Sequence, residues 1–147
     1  MLKSFRAKAL IARQLSFSDW LLLAESWWLL MIFSLLVRRV SYRRLETSTP
    51  LITRKYSAVA QPLAFAQRLQ WLVGLASRLH LLPMTCLPKA LTLRWMLVGR
   101  NIPARLSIGV TKSVVGINAH AWVEVMGQAI GESEDIDERF RVLRPVQ

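Results

Sequence analysis

The chain has 147 residues, 53% of them hydrophobic, and carries 20 Lys and Arg against 9 Asp and Glu, a formal net charge of +11. That length fits one domain, or a small catalytic domain behind a helical preamble, and can bury a respectable core. The single cysteine excludes an intramolecular disulfide, and one Cys with two His falls short of a four-ligand structural zinc set, so packing alone must hold the fold.

The charge is unevenly spread. Residues 1–118 hold seventeen basic residues against Asp19, Glu25 and Glu46, a balance of +14, whereas residues 119–147 hold three against six, a balance of −3. The basic residues are scattered through apolar stretches, with no aromatic-interleaved sheet, zinc finger or helix-turn-helix pattern, so nucleic acid is not the expected partner. A membrane surface or acidic partners fit the balance better.

In chain order, "FSDWLLLAESWWLLMIFSLLVRR" reads as a helix with Ser18 or Asp19 available as N-cap. From Trp20 to Val37 only Glu25, Ser26 and Ser34 interrupt the apolar run, and eighteen residues nearly match the hydrocarbon core of a bilayer. Glu25 and the basic clusters at both ends (Lys3, Arg6, Lys8, Arg13; Arg38, Arg39, Arg43, Arg44) favour a buried or partner-facing helix instead. Membrane contact through residues 20–37 is the alternative, and no small-residue cleavage site marks a secretory signal. Polar residues around Pro50 then suggest a linker over 46–60, dividing an apolar helical segment at 1–45 from a core at 61–147.

Within that core, "QPLAFAQRLQWLVGLASRLH" reads as an amphipathic helix, with Pro62 in its first turn, Leu69, Leu72, Ala76 and Leu79 on one face, and Pro83 as its stop. A third helix, "CLPKALTLRWMLVG", has Thr85 as N-cap, Pro88 in its first turn and Gly99 as its end. Cys86 therefore lies at a helix N-terminus, where unpaired N–H groups and the dipole favour a thiolate. The plainer reading is a small buried apolar residue, the usual state of a free Cys.

A nucleophile needs a base, and there are two histidines. His80 follows the second helix and reads as a structural helix-end residue. His120 lies thirty-four residues beyond Cys86, on the first arm of a hairpin, "NAHAWVEVMGQAIGE", turning around Met126 and Gly127. A three-residue loop, Val125-Met126-Gly127, would pair Glu124 with Gln128 and set Glu132 opposite His120, close enough for its carboxylate to orient the imidazole. A two-residue loop would put Ser133 there and turn Glu132 to the other face, with Asp135 in reserve. Trp122, two residues along the strand, shares the face of His120 and is placed to wall a substrate cleft. Trp27, Trp28, Trp71 and Trp95 read as core or interface aromatics, and "ESEDIDERF" as a solvated turn and short helix.

The runs "CLPKALTLRWMLVGRNIPARLSIGV" and "AHAWVEVMGQAIGE" resemble the transglutaminase-like cysteine peptidases, in particular the leader peptidases of lasso-peptide biosynthesis, over roughly residues 80–143. The resemblance implies an α+β, papain/transglutaminase-like fold: N-terminal helices and a Cys-bearing helix packed on a small antiparallel sheet. It implies Cys86 as nucleophile, His120 as base and an acid at the next strand, here Glu132 where the family usually has Asp. With residues 1–80 reading as helices and a linker, the chain is similar to the split form of that enzyme. Its implied partners are a lasso precursor peptide, a separate leader-recognition protein and an ATP-dependent lasso cyclase. The activity implied is removal of the leader from an antimicrobial lasso precursor, with no cofactor, in the cytoplasm. By the same resemblance, a Thr two residues before the core is the recognition element. The rival function is a non-catalytic, membrane-associated adaptor that presents the precursor to the cyclase.

Overall fold

Helix α1 (Phe17–Leu36) begins two or three residues earlier than its sequence suggests, because Ser16 and Asp19 satisfy each other's backbone. The Ser16 hydroxyl accepts from the Asp19 N–H at 3.2 Å, and the Asp19 carboxylate accepts from the Ser16 N–H at 3.0 Å. This is a capping box, so Asp19 is the N3 partner and Ser16, rather than Ser18 or Asp19, is the cap. The computed structural model describes residues 15–39, 59–113, 116–133 and 135–143. The flanking basic clusters at 3–13 and 43–44, and the linker expected at 46–60 apart from Val59 and Ala60, lie outside them.

Helix α2 (Pro62–Arg78) has Pro62 at its first position, where no N–H is needed. Leu69, Leu72 and Ala76 are fully buried as their spacing implies. Leu79 is not part of that stripe: it is the C-cap, and its side chain is exposed. Helix α3 (Cys86–Val98) runs from Thr85 as N-cap to Gly99 as C-cap, as its sequence indicates. The chain then enters β1 (Arg105–Ser113), β2 (Gly116–Val125), the two-residue β3 (Gln128–Ala129), a single helical turn α4 (Ile136–Arg139) and β4 (Arg141–Val142). The strands form one antiparallel sheet in the order β3-β2-β1-β4. This is the α+β architecture expected of the sequence, with β1 and β2 paired along their length from Arg105↔Glu124 to Ser113↔Gly116.

Alternation along β2 divides the protein into two apolar layers. Ala121, Val123 and Val125 belong to the main core, with Leu30 of α1, Leu69 and Leu72 of α2, and Leu93 and Met96 of α3. Trp122, on the other face, belongs to a small second cluster with Ile136 and Phe140. Helix α1 is part of the main core through Leu23, Leu30 and Phe33. Its two acids are both tied to the rest of the fold: Arg68 Nη2 lies 2.9 Å from Asp19, and Arg100 Nη2 lies 2.6 Å from Glu25. On its opposite side Phe17, Leu21, Trp28, Ile32 and Leu35 are exposed. The helix is long and apolar enough to cross a membrane by length and composition, with mean hydropathy 1.5 over an 18-residue window that is 28% buried. These properties are compatible with either a soluble or a membrane-associated protein.

Two outcomes follow for stability. Leu30→Ala removes a fully buried side chain and should cost about 2–5 kcal/mol in urea denaturation; a change near zero would mean that α1 does not fold with the core. Hydrogen bonding from Arg68 holds the Asp19 carboxyl down to about 2, below the ordinary 3.8. A depressed carboxyl stabilises the fold above its unfolded value and loses that contribution as pH falls toward the folded value. Thermal melts between pH 4 and pH 2 should therefore fall less steeply for Asp19→Asn than for wild type.

Candidate active site

Cys86 occupies the first position of α3 and is half-buried. Thr85 adopts the extended conformation of an N-cap, but its hydroxyl makes no capping hydrogen bond. Pro88, at the third helical position, has no N–H at all. The helix start therefore keeps unclaimed N–H groups beside the thiol, where they are available to an oxyanion.

The thiol opens into a cavity of about 210 Å³ that is also lined by Gln70 of α2, Lys89 of α3, His120 and Trp122 of β2, and Glu132. His120 is brought here by β2, and its Nε2 lies 2.9 Å from Glu132 Oε1. A carboxylate only accepts, so the imidazole donates at Nε2 and keeps the lone pair of its neutral form on Nδ1. No hydrogen bond joins Cys86 Sγ to His120 among the described residues; the two share the cavity rather than a direct contact.

The route by which Glu132 reaches His120 differs from the three-residue-loop expectation. The hairpin closes with a two-residue turn, Met126 (φ 52°) and Gly127 (φ 79°), pairing Val125 with Gln128 and Glu124 with Ala129. Both turn residues have positive φ, which suits the right-handed twist of the strands. Continued as a regular ladder, this register would turn Glu132 away from His120. It does not continue, because after the Ile130 N–H bonds to the Val123 carbonyl at 2.8 Å the chain turns through Gly131 at φ 75°. That left-handed residue takes the chain out of the sheet and aims Glu132 at the imidazole. Ser133 and Asp135 do not take the place: both are exposed and neither lines the cavity. Asp135 instead stands at the N-cap position of α4 without a side-chain capping hydrogen bond, its carboxyl lowered chiefly by a hydrogen bond from the Ser133 side chain.

Behind the imidazole stands an aromatic wall. Trp122 stacks on His120 with centroids 6.0 Å apart at 23°, and Phe140 lies 5.4 Å away. Trp122 is only 2% exposed: it packs with Ile136 and Phe140, and it lines the cavity beside His120. Its indole N–H donates to Glu124 Oε1 at 3.2 Å, and Ser107 Oγ donates to the same oxygen at 2.6 Å. Glu124 thus fixes the ring that backs the histidine. Its signal was the period-two series His120, Trp122, Glu124; Gln70 and Lys89 carry no motif and reach the cavity only through packing. His80 lies elsewhere, stacked on Trp27 at 4.7 Å with Nδ1 accepting from the Leu82 N–H, as suits a structural role.

A thiol at a helix N-terminus, an imidazole bonded to a carboxylate and a cavity shared by all three are the groups that cysteine peptidases use. Residues 28–145 match the model of the transglutaminase-like superfamily, and the chain belongs to that superfamily, whose members are typically cysteine-protease-like. No curated protein and no solved structure matches the chain.

Gly131 is the testable hinge of this geometry. A Cβ there would sit 2.7 Å from Gln70 Cγ and 2.9 Å from its Nε2, on a backbone that already disfavours L side chains. Gly131→Ala should destabilise by about 1–2 kcal/mol from backbone conformation alone, read from the urea midpoint. An unchanged midpoint would show that the turn relaxes freely and does not hold Glu132 in place.

Proposed function

We propose that the protein is a cysteine peptidase that removes the leader from a lasso-peptide precursor. The observation that carries the hydrolytic reading is the 2.9 Å contact between His120 and Glu132 in the cavity that Cys86 enters from the start of α3. The lasso assignment is supported by the "CLPKALTLRWMLVG" and "AHAWVEVMGQAIGE" runs, and with it come a separate leader-recognition protein and an ATP-dependent cyclase as partners.

In this reading His120 Nδ1 takes the Cys86 proton, and the sulfur attacks the carbonyl carbon at the leader–core junction. The backbone N–H of Cys86 stabilises the oxyanion. The intermediate collapses as His120 passes its proton to the leaving nitrogen, so the C–N bond breaks and a leader thioester remains. The core leaves with a free α-amino group. Water, deprotonated by His120, then attacks the thioester, and the sulfur departs and regains its proton. Glu132 holds the ring in the required tautomer throughout, and Trp122 fixes its plane.

The exposed apolar side of α1 favours a second reading, in which the chain is a non-catalytic adaptor held at a membrane and Cys86 is inert. One experiment separates them: mass spectrometry of a candidate precursor incubated with the chain and its recognition partner. Cleavage at one site should vanish with Cys86→Ala and His120→Ala, and Glu132→Ala should slow it by about 10²–10⁴-fold, as loss of a tautomer-setting acid does. Cleavage that persists in Cys86→Ala overturns the peptidase reading in favour of the adaptor.

A further inference from the structure

Among the described residues that line the cavity of Cys86, Lys89 is the one Lys or Arg and Glu132 the one carboxylate. Glu132 is committed to His120 at 2.9 Å. The Lys89 ammonium forms no ion pair and no hydrogen bond among the described residues, and Glu132 stands beyond ion-pair distance from it. The carboxamide of Gln70, on the α2 wall of the cavity, is likewise without a hydrogen-bond partner among them. Both side chains are half-buried, so water reaches each only in part.

Helical spacing explains why the cation is here. Cys86, Lys89, Ala90 and Leu93 all line the cavity, and positions i, i+3, i+4 and i+7 share one face of a helix. Lys89 therefore lies one turn along α3 from the thiol, at the roughly 5–6 Å between Cβ atoms that this spacing gives. The walls around it, Ala90, Leu93, Val123 and Ile130, are apolar. A cavity of about 210 Å³ with apolar walls, one unpaired cation and one unpaired carboxamide is matched by a short side chain that ends in a carboxylate. Such a side chain would supply the partner that a partly desolvated ammonium lacks.

We infer that Lys89 and Gln70 form a subsite for an Asp or Glu side chain of the substrate, carried by one of the two residues that precede the scissile bond. The inference rests on the peptidase reading and names a substrate class that the reading leaves open. His120 must reach the leaving nitrogen, which sets the amine side of the substrate against β2. The acyl side is left to face α3 and α2, where Lys89 and Gln70 stand. Lys89 contributes a point charge and Gln70 an N–H donor, so the pair holds a carboxylate more tightly than the isosteric amide.

The test uses acetyl-Ala-Ala-Ala acyloxymethyl ketones, which alkylate a peptidase thiol, with Glu, Gln or Lys replacing the last or the second-last Ala. Labelling is run near physiological salt, where long-range attraction to a chain of net charge +11 is screened. The ratio of Glu to Gln labelling rates at Cys86 is taken within each protein, which cancels any general effect of a substitution on the thiol or the fold. At one of the two positions wild type should label about 10–100-fold faster with Glu than with Gln, as a hydrogen bond to a charged group implies. That ratio should fall to near one in Lys89→Met and by a smaller factor in Gln70→Ala. Lys89→Glu should favour the Lys probe.

Equal labelling of wild type by the Glu and Gln probes overturns the subsite and leaves the peptidase reading standing. A Glu preference that survives in Lys89→Met belongs to the overall charge of the chain and overturns the subsite as well. Wild type that is alkylated at Cys86 by iodoacetamide but by none of the ketones overturns the peptidase reading, and the subsite falls with it.

Discussion

The chemistry of this fold depends on the place where the sheet is interrupted. A regular hairpin in the observed register would carry Glu132 past His120 on the wrong face, since successive strand residues alternate sides. The chain escapes by ending β3 after two residues and turning through Gly131 in a left-handed conformation. The same interruption gathers a carboxylate to the imidazole and leaves Gly116–Trp122 of β2 with no strand partner on that side among the described residues. A longer β3 would have covered that edge. Ordering of the acid and the unpaired edge of β2 are thus two results of one local choice.

The rest of the protein holds the two halves of the site in register. α3 carries Cys86 at its start and buries Leu93 and Met96 in the main core, against Ala121 and Val123 of β2. A helix packed on several side chains along its length cannot slide without breaking those contacts, so the position of its first residue is set by the whole core. On the opposite face of the sheet, the Ser107–Glu124–Trp122 hydrogen bonds and Phe140 fix the imidazole from behind. Cys86 and His120 are therefore supported by different layers, joined through β2. This is a division of labour between an apolar core and a small polar-aromatic network.

Much of this was legible in the sequence, where local chemistry decides local structure. Thr85 and Gly99 bound α3 because cap preferences act over a few residues, and the Leu69, Leu72, Ala76 spacing gave the buried face of α2. Cys86, His120 and Glu132 were each identified as candidates, and they meet at one cavity. What could not be read was the path between them. The turn length around Met126 and Gly127 differs by one residue between two plausible hairpins, and the break at Gly131 reverses the consequence of that difference. Ser16 was missed as a cap because its partner, Asp19, lies inside the helix and was itself taken as a candidate cap. The support from Glu124 and Phe140 required the pairing of β1 and β2 and the return of β4 to the sheet, which are long-range facts that no local pattern states.

Having one cysteine also sets how this thiol can fail. A thiolate exposed to peroxide passes first to a sulfenic acid, which many thiol proteins rescue by condensing it with a second cysteine before further oxidation. No such partner exists in this chain. Recovery depends on small thiols diffusing into the cavity, and a second oxidation before they arrive is permanent. Oxidation of Cys86 beyond the sulfenic acid is therefore a change that no other residue of this chain can reverse.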